Sequence, residues 1–582
     1  MKHLQYLNKF LWKYRNLLII GTIFIIIANL FALYPAEFVR EAFDAVLTSI
    51  KGGSEERAKI PYVLLKYSAL IVSFAIFKGI FMFFMRQTII VMSRKIEFDL
   101  KNEIYQQYQN LSMNFYKQNK TGDLMNRISE DLNKVRMYLG PALMYAINIS
   151  ILFYLVISKM LGISHVLTTY VLMPLPLLAG LVYFVSSNIN RRSERVQKQL
   201  SQITTISQET FSGIKIIKSF GNEMNTWKEF ADSCRAYTRK QIQLVKIEAA
   251  FFPIIITMIG ISTILTVYIG GIESFKGNIT TGNIAEFIIY VNMLAWPVAS
   301  VGWITSIVQR AAASQERINH FLLLQSEIKN NSNCSTPIIG DIHFENVSLV
   351  YEDTNVTALD NVTFTIKEGT SLGIFGKTGS GKSTIANLVC RLYEANQGDV
   401  KFGKTNIKEL NLFDLRSCIG YIPQDGYLFS GSIKENIAFA SDKINEDYIL
   451  KAAEKAEIIE EINNFNDGLN TIIGERGVKL SGGQRQRIAI ARTFYKNPKL
   501  FIFDDCLSAV DSRKEQKILS NLKTESQGKT SIIISHRTAT LKDCDHIIIL
   551  NEGKIIEQGT HKSLVKSKGA YYEINKNQNN SI

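Results

Sequence analysis

A chain of 582 residues is long enough for two or more domains, each with its own core. With 46% hydrophobic residues and only 10 prolines it is neither disordered nor fibrous, and its six cysteines show no metal-ligand spacing, so they read as reduced packing thiols. The net charge of +14 suits a nucleic-acid binder or a membrane protein with basic cytoplasmic loops, and the apolar pattern favours the second, with no nucleic-acid partner.

The basic opening MKHLQYLNKFLWKYRN runs into a long apolar stretch without a small-residue cleavage site, which argues against a removable signal peptide. Six apolar stretches follow, at 17–36, 66–92, 138–160, 163–187, 249–271 and 284–308, each near the ~20-residue length that spans a bilayer. Lys66 and Lys78 interrupt the second, where snorkelling toward an interface is expected. Lys2, Lys9, Lys13 and Arg15 precede the first span and place the N-terminus in the cytoplasm, together with the two long loops and the C-terminal half. Those loops carry Arg94, Lys95, Arg191 and Arg192 at amphipathic spacing with few breakers, which predicts helices running on beyond the membrane. The expected architecture is an all-α six-helix membrane domain over 1–324, a polar linker over 325–340, and an α/β P-loop domain over 341–582.

In that second domain the strands SLGIF, KLFIF and TSIIIS alternate with helical segments. After SLGIF comes GKTGSGKST, which fits G-x-x-x-x-G-K-[ST] and opens a helix. The candidate nucleotide-binding residues are Gly376, Lys377, Thr378, Gly379, Ser380, Gly381, Lys382, Ser383 and Thr384. Lys382 would reach the β- and γ-phosphates of ATP and Ser383 a Mg²⁺ ion. LFIFDD then ends an apolar strand in Asp504, on the metal side, and Asp505.

LSGGQ lies between these two motifs, and by chemistry alone it is a helix-capping turn before a basic helix. In this order the motifs resemble the ATP-binding cassette family, whose signature corresponds here to Leu480, Ser481, Gly482, Gly483 and Gln484. Other family stations match Tyr351 in LVYED, Gln424 in YIPQDGYLFSGSIKENI, Glu475 in TIIGERG, Ser508 and Asp511 in SAVD, and His536 in IISHR. The loop stretches NFYKQNKTGDLMNRISEDLNKVR and ETFSGIKIIKSFGNE complete a resemblance to an exporter half-transporter that covers essentially the whole chain. The resemblance implies adenine stacking by Tyr351, Mg²⁺ sensing by Gln424, γ-phosphate contact by His536 and coupling to the membrane half by Glu475. It also implies that Ser481 and Gly483 serve ATP held by a partner cassette, with Ser508 and Asp511 in the loop beside it.

At the position of Asp505 the family normally carries the Glu that polarises the attacking water. Asp505 is one methylene shorter, so this chain's own site is expected to hydrolyse ATP poorly. A defective base beside an intact signature favours one half of a heterodimer, with a slow homodimer as the other assembly. The expected function is ATP-driven export of a hydrophobic or amphipathic cargo (a drug, lipid or peptide) from an inner-membrane location. An ATP-gated channel or regulator and a homodimeric lipid flippase are the alternatives. Trp296 and Trp303 are among the aromatic residues that would suit an apolar cargo.

Overall fold

The computed structural model describes residues 2–51, 54–332, 338–441, 443–474, 480–507 and 512–579. Two compact units emerge: Met1–Gln109 with Gly122–Leu324, and Asn110–Thr121 with Gln325–Ile582.

Six helices long and apolar enough to cross a membrane make up the first unit. They are α1 (Arg15–Lys51), α2 (Glu55–Asn110), α3 (Thr121–Ile163), α4 (His165–Ser212), α5 (Glu223–Phe275) and α6 (Thr281–Leu323). Five contain one expected span each, and the fourth, expected from 163, begins at His165; all extend past the apolar window at one end or both, because the flanking polar residues keep helical spacing. Leu33, Val156, Leu178, Phe287 and Leu294 form the centre of the packing. In the most apolar stretch of α6, 47% of the residues are buried, against 6% in that of α2, whose buried residues, Met85 to Ile104, lie in its second half. On α2 Lys66 is exposed and Lys78 half-buried, Lys66 with its ammonium 5.5 Å from the Tyr67 ring centre, an arrangement that suits snorkelling.

Buried charge in this unit is paired. Glu286 is 1% exposed and accepts from Tyr290 Oη at 2.9 Å, Asn283 Nδ2 at 3.2 Å and Arg40 Nη1 at 3.4 Å. Asp131 on α3 accepts from Ser314 Oγ at 2.9 Å and from the Arg317 guanidinium, pinning α3 to α6. A carboxylate removed from water needs such partners to remain ionised.

The second unit is built on two large sheets, with a two-stranded pair, Gly431–Ser432 and Ile472–Ile473, beside them among the described residues. Strands β1 (Ile342–Tyr351), β2 (Val356–Ile366), β4 (Gln397–Phe402) and β5 (Thr405–Asn406) form an antiparallel sheet in the order β2-β1-β4-β5. The larger sheet contains β3 (Ser371–Gly376), β6 (Ile419–Ile422), β7 (Leu500–Asp504), β8 (Thr530–Ser535), β9 (His546–Asn551) and β10 (Lys554–Gly559). Its order is β10-β9-β3-β8-β7-β6, parallel except for the β9–β10 edge pair. All five residues of β7 are buried, as expected for an inner parallel strand covered on both faces. That order brings the C-terminal ends of β3, β7 and β8 together, which is where ligands bind in open α/β sheets.

The five described cysteines are unpaired. Burial pushes Cys390 and Cys544 up to about 12, so both remain thiols that pack rather than react.

Candidate nucleotide site

The P-loop leaves the end of β3 and feeds α7 (Lys382–Val389). Gly381 caps α7 at φ +98°, and a Cβ there would stand 2.2 Å from the Ala358 carbonyl oxygen, so backbone conformation and packing both demand glycine. Lys382 is 6% exposed and donates through Nζ to the carbonyls of Gly376 at 2.9 Å and Lys377 at 2.7 Å. Burial pulls its ammonium below the usual lysine range, against the opposing charges of Asp505 and Asp504. Ser380 Oγ is buried without a hydrogen-bond partner inside this cradle.

Asp504, the last residue of β7, accepts from Ser383 Oγ at 3.0 Å and from Tyr421 Oη at 3.3 Å. Burial holds its carboxyl above the usual carboxylate range, while the bonds from Ser383 and Tyr421 and the charge of Lys382 pull the other way. Such a group gains from an approaching cation, which restores the solvation lost on burial.

Asp505 comes next and lies at φ +45°, in the left-handed region that a short acidic side chain tolerates better than most. Its backbone N–H donates to the Ile534 carbonyl at 3.0 Å, and its Oδ2 lies 3.3 Å from His536 Nε2. The other ring nitrogen of His536 lies 3.2 Å from the Gly376 carbonyl oxygen. The structure therefore gathers Lys382, Ser383, Asp504, Asp505 and His536 around one sheet edge. Gln424 is exposed just past β6, its carbonyl accepting from Gln486 Nε2 at 3.3 Å, and it is not among the described groups bonded to Asp504.

Tyr351 ends β1, with its hydroxyl 3.1 Å from Thr384 Oγ1 and its ring edge-on to Tyr393 at 5.2 Å. The Lys117 ammonium sits 4.0 Å from the Tyr351 ring centre. Lys117 belongs to the short helix Met113–Gln118, in the segment that folds with this unit. Asn114 of the same helix donates to Glu327 at 3.0 Å and to Glu352 at 3.1 Å. Neither Lys117 nor Tyr421 is among the residues expected from the motifs, although both fall in the stretches that carried the resemblance.

The signature is built differently. Ser481 caps α8 (Gly482–Lys496), its Oγ accepting from Gln484 N at 3.2 Å while its own N–H donates to Gln484 Oε1 at 2.8 Å. Leu480 is buried beneath this turn, whereas Ser481 and Gly482 are exposed and Gly483 half-buried. Among the described residues no hydrogen bond joins 480–484 to the P-loop. Glu475, Ser508 and Asp511 lie outside the described residues.

Comparison with known proteins agrees along the whole chain. Residues 18–298 match the ABC transporter transmembrane region and residues 359–508 match the ABC transporter domain. The probable multidrug resistance ABC transporter ATP-binding/permease protein YheI of Bacillus subtilis is 33% identical over 80% of each chain. The ATP-dependent lipid A-core flippase of Mannheimia succiniciproducens is 30% identical over 88% of each. The structure of a bacterial Atm1-family ABC exporter with ATP bound superposes with a TM-score of 0.80 at 24% identity, over 97% of this chain and 98% of that one. The chain therefore belongs to the ABC transporter family, as a membrane-spanning region and an ATP-binding domain fused in one polypeptide whose ATP hydrolysis is coupled to transport.

Proposed function

We propose that this chain is one half of a dimeric ATP-driven exporter of hydrophobic or amphipathic cargo, set in the cytoplasmic membrane with its cassette in the cytoplasm. Its own ATP position is slow because of Asp505. The observation that carries the reading is the meeting of Ser383, Asp504, Asp505 and His536 at one sheet edge in a chain with six apolar helices.

The residues fit a magnesium nucleotide. The Ser383 and Asp504 oxygens already face each other, and Ser380 Oγ is buried without a hydrogen-bond partner in the P-loop. Ser383 and Asp504 would hold Mg²⁺, with Gln424 as the third contact inferred from the family pattern. When bound, Mg²⁺ would offset the negative charge that develops on the nucleotide's phosphates. Lys382 gives up its two carbonyl partners for phosphate, Tyr351 stacks on adenine, and His536 steadies the γ-phosphate from β8. A base that orients water must reach it at ~2.6–3.2 Å. Asp505 has the shorter arm, and that arm is directed to His536.

The exposed, self-capped signature is suited to ATP held on a second cassette, so alternating access would follow from the closing and opening of two cassettes over shared nucleotide. A partner chain with Glu in place of Asp505 would supply the competent site, completed by Ser481 and Gly483 of this chain. A homodimer turning over slowly is the competing assembly. The test is ATP turnover and cargo efflux measured together in proteoliposomes. The proposal requires efflux that stops with vanadate, and passive ion flux gated by unhydrolysed ATP would instead establish a channel or regulator.

A further inference from the structure

The first unit contains a cavity of about 640 Å³ between α3, α4 and α6, well within the ~300–1,000 Å³ of small-molecule sites. Phe153, Leu175, Val182 and Val298 are among its apolar walls. Further along α4 and α6 the lining changes character, with Ser186, Ser187, Asn190, Thr305, Ser306 and Gln309 taking over. Between the two zones α4 and α6 nearly touch: a Cβ on Gly302 would lie 3.0 Å from Ser186 Oγ. Among the described residues no Asp, Glu, Lys, Arg or His lines the cavity. At the polar end the nearest charges along the chain are Arg191, Arg192 and Arg310, with Arg192 bonded to the Gln243 carbonyl at 3.0 Å; on α3, Lys159, two residues beyond the lining residue Ile157, is paired with Glu37 at 2.5 Å. Trp296 and Trp303, the aromatic residues expected to favour apolar cargo, are not part of this lining. They pack edge-on against Tyr145, at 5.4 and 5.7 Å.

From this zoning we propose that the cavity binds an amphiphile with an uncharged, hydrogen-bonding head. The tail inserts against Phe153, Leu175 and Val298, and the head is held at the Ser186–Asn190 and Thr305–Gln309 end. Hydroxyl and amide side chains pair with polyol or amide heads at little cost, whereas an ion without a counter-charge loses its hydration uncompensated. The proposal rests on the exporter reading, because it names the cargo of that reading, but its test reads binding independently of transport.

Three dodecyl photoprobes with a diazirine in the chain, bearing glycerol, phosphate or trimethylammonium heads, are offered to the full-length protein in phosphatidylcholine nanodiscs. Mass spectrometry maps the label, and unmodified monododecanoylglycerol competes. The glycerol probe is expected to label 172–190 and 298–309 competably, at least ~10-fold above the two charged probes. Ser306→Asp is expected to raise trimethylammonium labelling in the same segments by ~10-fold, since it supplies the missing counter-charge. Ala179→Trp, which fills the cavity, should remove competable labelling. Equal labelling by all three heads, or competable labelling only outside both segments, overturns the proposal. Labelling as expected without efflux leaves the cavity assignment standing and removes the exporter reading, and efflux of monododecanoylglycerol without labelling there does the reverse.

Discussion

The P-loop edge of the parallel sheet and the N-terminal end of α8 lie in one domain and are finished to different degrees. At the sheet edge Lys382 is bonded to two carbonyls, Ser383 to Asp504, and His536 faces Asp505, with Ser380 Oγ left buried and unpartnered in the P-loop. At the end of α8, Ser481 and Gly482 are exposed, and Ser481 is held by its reciprocal cap with Gln484 and by the Arg485 N–H, which donates to its carbonyl at 3.1 Å. A site that closes on itself can hold nucleotide within one chain, whereas an exposed helix start with free N–H groups is half of a site that something else must complete. On the proposed reading the weakness lies in the finished half, at Asp505, and the signature in the unfinished half is whole in sequence. The catalytic competence of one chain would then depend on the identity of the other.

Lengthening Asp505 probes the finished half most strongly. One well-placed base contributes ~10²–10⁴-fold, so Asp505→Glu should recover a large part of that range in single-turnover hydrolysis. The left-handed backbone at 505 offsets part of the gain, because Glu tolerates φ +45° less well than Asp. No rise, with nucleotide still bound, would place the defect in the facing signature instead. A change in the unfinished half should then outweigh a further loss in the weak one: Ser481→Arg is expected to cut steady-state ATPase of the assembly more than Asp505→Asn does. If Asp505→Asn proves the more damaging, the homodimer replaces the heterodimer.

Lys382→Ala removes the ammonium aimed at phosphate, a charge-assisted contact worth ~1.5–3 kcal/mol, so ATP should bind this chain about one to two decades more weakly. Unchanged affinity by filter binding would remove the P-loop assignment. The smallest effect concerns Lys117, whose cation–π contact with Tyr351 is worth ~0.5–1 kcal/mol at a partly exposed position. Lys117→Met should weaken ATP binding by a few-fold by loosening the ring proposed to stack on adenine, and tighter binding would show that Lys117 competes for that ring.

Much of this was legible before any coordinates, for reasons that differ by element. The P-loop, Asp504, Asp505 and His536 are readable because each sits at the end of a short apolar strand, and parallel pairing of those strands brings their ends together. Tyr421 reaches Asp504 only because β6 pairs with β7, Tyr421 opposite Ile502, a long-range register that no local spacing records. Lys117 reaches Tyr351 because the segment 110–121 folds with the second unit although the chain places it between two membrane helices. The spans were readable as apolar windows but not as whole helices. Hydropathy marks where lipid would be, while α1 runs to Lys51 and α6 to Leu323 on helical propensity and packing.

The most direct test of the account asks which nucleotide this chain retains. The purified assembly is turned over with photoreactive 8-azido-ATP, crosslinked during steady state, and the label on this chain is identified as di- or triphosphate. A slow site predicts triphosphate on this chain after many catalytic cycles, with diphosphate accumulating on the partner. Diphosphate on this chain at the rate of overall turnover would contradict the account, because Asp505 would then be a working base.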